Sequence, residues 1–110
     1  MNSRTPGWNF FSNHAHVLLV LAEQPDARLR DIAERVGITE RAVHSIVSAL
    51  EAEGAITRNR EGRRIQYEIH ADMKLRHPVE AHRSVGDLVG LFRQGKAEQQ
   101  GEHRTEDRVN

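Results

Sequence analysis

Residues 29–54 have the sequence LRDIAERVGITERAVHSIVSALEAEG, and its pattern of apolar residues decides the fold. In each half, apolar residues recur at i, i+3, i+4 and i+7, the spacing of one helical stripe: Leu29, Ile32, Ala33 and Val36, then Val43, Ile46, Val47 and Leu50. Between the stripes, Gly37 can adopt the positive φ that ends a helix. Ile38 can fill the corner, and Thr39 can cap the next helix through its hydroxyl. Two helices joined by a short turn with glycine form a helix-turn-helix.

The composition is that of a small protein with a lean core. The chain has 110 residues, 37% of them hydrophobic, so one domain is expected and a partner subunit would help to bury apolar surface. The net charge is zero, so charge must be examined locally. The absence of cysteine excludes disulfides and thiolate metal sites. No apolar run approaches the length of about 20 residues that spans a bilayer, and residues 1–10 lack the core of a signal peptide. We expect a cytoplasmic protein without a membrane partner.

The residues before the helix-turn-helix predict an arm and one buried helix. Residues 1–11 form a lead-in that carries three of the five aromatic residues, Trp8, Phe10 and Phe11. From a cap at Ser12 or Asn13, an apolar helix is predicted to run to about residue 24, since Pro25 cannot continue it. The aromatic side chains either cover this helix or pack against a partner.

A β-hairpin is predicted directly after the helix-turn-helix. Ile65, Tyr67 and Ile69 alternate with polar residues, the period of a half-buried strand, and residues 55–60 can form its partner strand. The segment between them, residues 61–63, contains a glycine and suits a hairpin connection. A helix-turn-helix followed by a hairpin is a winged helix. The predicted class is mainly α with a small β-hairpin, a winged helix-turn-helix over 12–70 with a recognition helix at about 40–53 and a wing at about 55–69.

The C-terminal part is predicted to hold a linker and a dimerisation helix over 71–92. Pro78 suits the first turn of a helix, which would then run from Val79 to Phe92. Gly86 and Gly90 lie i, i+4 in it and could let two backbones approach. We expect this helix and the arm to meet a second copy of the chain; the alternative is packing on the same domain. The winged helix is thus expected to be flanked by dimerisation helices at its N-terminal and C-terminal ends. The residues expected at the dimer interface are Trp8, Phe10, Phe11, Val85, Leu88, Val89 and Phe92. Residues 93–110 are charged and without periodicity, so a frayed or disordered tail is expected.

The outward face of the second motif helix carries side chains that suit DNA. Opposite its apolar stripe, Arg41, His44, Ser45 and Ser48 recur at helical spacing. A guanidinium at Arg41 can bridge O6 and N7 of guanine, and Ala42 can touch a thymine methyl. Thr39 lies at the helix N-terminus, where unpaired N–H groups suit a phosphate. A solvated polar face is the alternative explanation.

The wing favours the DNA interpretation. Residues 58–64 hold four arginines against one acid, Glu61, on the loop that flanks the motif helix. We expect these arginines to contact the DNA backbone or the minor groove: Arg58, Arg60, Arg63 and Arg64. Arg28, Arg30 and Arg35, around the first motif helix, could add phosphate contacts that fix register.

Residues 30–69 resemble the winged helix-turn-helix of MarR/ArsR-type bacterial and archaeal transcription regulators. The matching motifs are IAERVGITERAV in the turn and LEAEGAI at the exit into the wing. In the return strand they are GRR (62–64) and the Tyr and Ile of YEI (67–69). The segments LRHPVEAH and VGDLVGLF resemble the closing part of small regulators in this group. The resemblance implies a dimeric repressor or activator that binds double-stranded operator DNA. The identity of a small-molecule effector does not carry over, because the group senses metals, phenolic ligands, oxidants or nothing.

Two other functions compete with DNA binding. A winged helix can also serve as a protein interaction module, which would more often expose apolar residues on the motif helix. A metal sensor would need clustered ligands, but His77 and His82 are five residues apart and lie on different helix faces, so no metal or other cofactor is expected. No nucleophile elbow, phosphate loop or HExxH motif is present, so no catalytic residue and no enzyme activity is expected.

Overall fold

The structure, a computed structural model, describes residues 8–93. In chain order it contains α1 (Asn13–Glu23), α2 (Leu29–Val36), α3 (Glu40–Ala52), β1 (Ile56–Glu61), β2 (Arg64–Ile69) and α4, whose described part is 85–93. Residues 1–7 of the predicted lead-in (1–11) and residues 94–110 of the predicted tail (93–110) lie outside the described residues. A helix-turn-helix followed by a two-stranded hairpin confirms the predicted fold class.

Helix α1 forms where the sequence predicts it. The Ser12 hydroxyl accepts a hydrogen bond from the backbone N–H of Ala15 at 3.3 Å and caps the helix, which ends just before Pro25. The side chains of Val17, Leu18, Val20 and Leu21 are buried, so α1 forms the floor beneath the other elements.

The turn between α2 and α3 has the predicted chemistry. Gly37 has φ 85°, a conformation that a Cβ would strain, and its N–H donates to the carbonyl of Ala33 at 2.8 Å. The Thr39 hydroxyl accepts from the N–H of Ala42 at 3.0 Å and caps α3. Ile38 is half-buried and packs on the core. These contacts set the angle between the two helices and thereby aim α3 outward.

The hairpin is antiparallel, with Ile56 opposite Ile69, Arg58 opposite Tyr67 and Arg60 opposite Ile65. Its connection is Gly62-Arg63, one residue shorter than expected, with Gly62 at φ 64°. The second edge of β2 is tied to the loop after α1, because the N–H of Tyr67 donates to the carbonyl of Pro25 at 2.8 Å. Strand β2 is therefore hydrogen-bonded on both of its edges, to β1 and to Pro25, while the tip of the wing (residues 56–69) projects into solvent.

Helix α4 begins later than the sequence suggested. Residues 76–83 form turns, not the helix predicted from Val79, and the Val79 side chain is 75% exposed. The helix begins at 85 because Ser84 and Asp87 cap it reciprocally. The N–H of Ser84 donates to the Asp87 carboxylate at 3.0 Å, and the N–H of Asp87 donates to the Ser84 hydroxyl at 3.2 Å. The first of these bonds lowers the pKa of Asp87 below its ordinary value.

Two residues expected at the dimer interface lie instead in the core of this chain. Val85 and Val89 are 3% and 7% exposed and pack with residues of the helix-turn-helix and the wing, and Leu88 is partly buried beside them. Gly86 faces Ala71, with 3.0 Å between an added Cβ and the Ala71 methyl, so the close approach it permits is within the chain. The inner stripe of α4 thus closes the domain. Within residues 8–93, no helix has the length and apolar character needed to cross a membrane.

Candidate nucleic-acid interface

Helix α3 presents a polar face to solvent. Val43, Ile46 and Val47 anchor its inner side in the core. On the opposite side, four exposed residues form what we call the recognition face: Arg41, His44, Ser45 and Ser48. Ala42 is half-buried at the edge of this face. The structure therefore brings together the four side chains that the helical spacing predicted.

Thr39 and Arg41 both lie at the N-terminal end of α3. The Thr39 oxygen is occupied by the cap on Ala42, but the hydroxyl still has its O–H to donate. Arg41 is exposed and makes no ion pair with any residue between 8 and 93. Its guanidinium is therefore able to reach an acceptor without first breaking a protein contact.

The four wing arginines are not equivalent. Arg60 and Arg63 are exposed near the tip and form no ion pair within the described part of the chain. Arg58 pairs with Glu51 of α3 at 3.0 Å, and Arg64 pairs with Asp26 at 3.2 Å. The Arg64 pair is largely solvated, so it is worth little and can exchange its partner. Of the four arginines predicted to contact DNA, two are thus engaged by acidic residues and two have no ion pair within the described part of the chain.

Arg58 lies in a more enclosed position than the other wing arginines. The hydrogen bond from Arg58 to the Glu51 carboxylate is the main cause that raises the pKa of the guanidinium above its ordinary value. Tyr67, directly opposite in β2, is buried, and that burial raises the pKa of its phenol; Arg58 acts against this rise and Glu51 adds to it.

The acidic residues near the end of α3 are neutralised by arginines. Glu51 pairs with Arg58, and Glu53 pairs with Arg76 of the segment after the wing. Sequence reasoning missed both pairs. The alternation of β1 could have indicated the first, because it places Arg58 on the same side of the hairpin as Tyr67.

The arginines around α2 are mostly engaged. Arg35 bonds to Glu23 at 2.9 Å, and Arg28 lies 3.8 Å from Asp31. Arg30 is exposed and has no ion pair among residues 8–93. It is therefore the α2 arginine best placed to meet a phosphate.

The histidines are scattered over the described part of the chain. Within residues 8–93, no three residues among His, Cys, Asp and Glu are grouped so that they could hold a metal ion. His70 shares a hydrogen bond with the Thr57 hydroxyl, and Nδ1 of His77 accepts from the N–H of Val79 at 3.1 Å. These contacts are local and hold the chain around the wing.

The buried phenol of Tyr67 predicts a loss of stability at alkaline pH. Above the ordinary tyrosine pKa of 10.0 the unfolded chain releases the phenol proton, whereas the folded chain retains it until its raised pKa is reached. The folded state then binds more protons, so the free energy of unfolding falls as pH rises through this window. Urea unfolding between about pH 8 and 11 should show this fall in the wild type and a smaller one in Tyr67→Phe. Parallel curves for the two proteins would contradict the assignment.

This combination of elements defines a class of protein. A capped helix with an exposed polar face, a preceding helix joined by a glycine turn and a hairpin tipped with free arginines together form a winged helix-turn-helix of the DNA-binding kind.

Comparison with known proteins narrows the class. Residues 12–65 match the model of the MarR family. This chain is thus a winged helix regulator of the MarR type, a DNA-binding transcription regulator. No curated protein matches it.

Three solved structures superpose on the chain to different degrees, and one of them reaches a TM-score above 0.5. A mutant of ZitR from Lactococcus lactis superposes with a TM-score of 0.51 at 16% identity, over 98% of this chain and 73% of ZitR. Another ZitR structure, described as a zinc-responsive MarR family member, gives 0.45 at 21% identity, over 63% of this chain and 49% of that one. The PcaV transcriptional regulator from Streptomyces coelicolor, solved with its natural ligand, gives 0.48 at 23% identity, over 91% of this chain and 77% of PcaV.

Proposed function

We propose that the protein regulates transcription by binding an operator as a homodimer, with α3 in the major groove and the wing on the flanking backbone. The observation that carries the proposal is the recognition face, an exposed polar stripe of α3 with the free Arg60 and Arg63 on the adjoining hairpin. An interaction module would be expected to expose apolar side chains on this face, and α3 exposes none there.

Each part of the interface has a role that follows from its chemistry. Arg41 at the start of α3 is assigned to a guanine, through two parallel hydrogen bonds to O6 and N7. His44, Ser45 and Ser48 contact bases or phosphates farther along the groove, and Ala42 meets a thymine methyl. The Thr39 hydroxyl and the N-terminus of α3 face a phosphate, as does Arg30 of α2. Arg60 and Arg63 contact the backbone or the minor groove beside the site, and Arg64 joins them when it leaves Asp26.

The dimer proposal is supported by large apolar side chains at both ends of the domain. Trp8 is 75% exposed, Phe10 87% and Leu91 60%. The rings of Phe11 and Phe92 meet edge to face with centroids 5.6 Å apart, which joins the arm to α4. We therefore define the apolar patch, a revised interface that omits Val85, Leu88 and Val89, which pack on the core of this chain, and that adds the exposed Leu91: Trp8, Phe10, Phe11, Leu91 and Phe92. Exposed aromatic and aliphatic groups of this size are typical of protein contacts.

Leu91→Glu should convert the dimer to a monomer, because a carboxylate would have to be buried in the apolar patch. Sedimentation velocity at micromolar concentration measures the change. Val79→Glu is the matched control, since Val79 is also well exposed but lies in the turns before α4, outside the patch. Equal masses for both variants and the wild type would contradict this interface.

The function itself is tested by selecting bound sequences from a pool of random duplex DNA with the purified protein. We expect enrichment of a palindromic site whose half-sites are spaced by about one helical turn, because a two-fold dimer presents two recognition helices. Failure to enrich any sequence would favour an interaction module. Enrichment of a single, non-repeated half-site would support DNA binding but contradict the proposed homodimer.

A further inference from the structure

Arg58 differs from the other wing arginines in where it lies. It is in β1, opposite the buried Tyr67 and two residues after Ile56, which is 2% exposed. Alternation along the strand therefore places Arg58 on the side of the hairpin that packs on the domain. Arg60 and Arg63 lie beyond it, near the tip.

The partner of Arg58 is on the recognition helix. Its guanidinium donates to the Glu51 carboxylate at 3.0 Å, and the two side chains are only 34% and 38% exposed. The neighbouring pair, Glu53 with Arg76, is more open, at 54% and 67%. Among residues 8–93, the Arg58–Glu51 contact is the single side-chain hydrogen bond between α3 and the hairpin.

We propose that Arg58 is a positioning residue: through Glu51 it fixes the angle between the wing and α3, and it does not itself bind a phosphate. The inference rests on the proposed function, because the angle matters only if both elements meet the same DNA. A two-stranded ribbon is weak alone, so a bond near its base determines where its tip points. The tip lies about 10–15 Å farther along the strands, so a small rotation at Arg58 displaces Arg60 and Arg63 from the backbone.

Removing the acidic partner separates the two possible roles of Arg58. If Arg58 positions the wing, Glu51→Ala should weaken binding to the selected operator by about three- to fivefold, the range of an ion pair at this exposure. If Arg58 binds a phosphate, Glu51→Ala frees it and removes a nearby negative charge, and binding should become tighter. Glu53→Ala is the matched control, with the same charge change at the end of the same helix, and should not weaken binding.

Exchanging the two charges gives a second, independent test. Arg58→Glu alone should weaken binding by more than about tenfold, because it places two acids together. The double variant Glu51→Arg with Arg58→Glu rebuilds the pair at unchanged net charge and should bind within about threefold of the wild type. Thermal unfolding of each variant, followed by circular dichroism, identifies any loss of fold.

The outcomes distinguish this inference from the proposed function. A double variant as weak as Arg58→Glu, or a Glu51→Ala variant that binds more tightly, would overturn the positioning role while leaving DNA binding intact. A wild-type protein that selects no DNA would overturn the proposed function and the positioning role with it.

Discussion

Arg41→Ala is expected to cost about 1–3 kcal/mol of operator binding, and to do so at one base-pair position in each half-site. Arg41 is exposed at the start of α3 and is free of ion pairs with the described residues, so its substitution breaks no internal salt bridge. Alanine keeps the helix, because it has the highest helix propensity. The measurement is the dissociation constant for a set of duplexes in which each position of the selected site carries each of the four base pairs.

The way in which the dissociation constant varies across these duplexes shows whether Arg41 reads a base. The wild type should discriminate strongly at the position that Arg41 reads, and Arg41→Ala should accept all four base pairs there almost equally. Arg63→Ala is the control, since a side chain that binds only a phosphate should weaken every duplex by the same factor when it is removed. If Arg41→Ala also weakens all duplexes equally, Arg41 contacts the backbone and base reading belongs to another residue.

Removal of both free wing arginines has the second large effect. In Arg60→Ala with Arg63→Ala, the slope of log K against log salt concentration should become shallower by about 0.9 for each phosphate that is no longer neutralised, or about 1.8 for the pair in one protomer. Binding should weaken most at low salt, where counterion release contributes most. Fluorescence anisotropy of a labelled operator across about 50–200 mM salt measures the slope.

A control with the same charge change isolates the wing. Arg76→Ala with Arg83→Ala removes two positive charges from the segment between the wing and α4, where both are paired with acids. This variant should keep the wild-type slope. Equal slopes for the wing variant and the wild type would remove Arg60 and Arg63 from the DNA interface.

The parts of the fold that were predictable depend on short-range chemistry. Gly37, Thr39 and the two helical stripes determine the helix-turn-helix within a few residues of each other, and strand alternation determines the hairpin. The recognition face followed from the same periodicity, because burying one side of α3 exposes the other.

The parts that were missed depend on contacts between distant residues. Pro78 suits a helix start, but the backbone bond from Val85 to the carbonyl of Met73 and the caps at Ser84 outweigh it. The stripe of α4 was visible, yet periodicity does not show whether its own domain or a second copy covers it. Likewise, the wing charges were countable, but their pairing with Asp26 and Glu51 depends on how the hairpin packs.

Probing guanine N7 with dimethyl sulfate on the selected operator tests the central claim most directly, because N7 lies in the major groove. With α3 in the groove of each half-site, bound protein should protect guanines in two patches whose centres are about 10 base pairs apart. Methylation of the guanine read by Arg41 should block binding of the wild type and have little effect on Arg41→Ala. Bound protein that leaves every guanine N7 reactive would contradict a major-groove recognition helix.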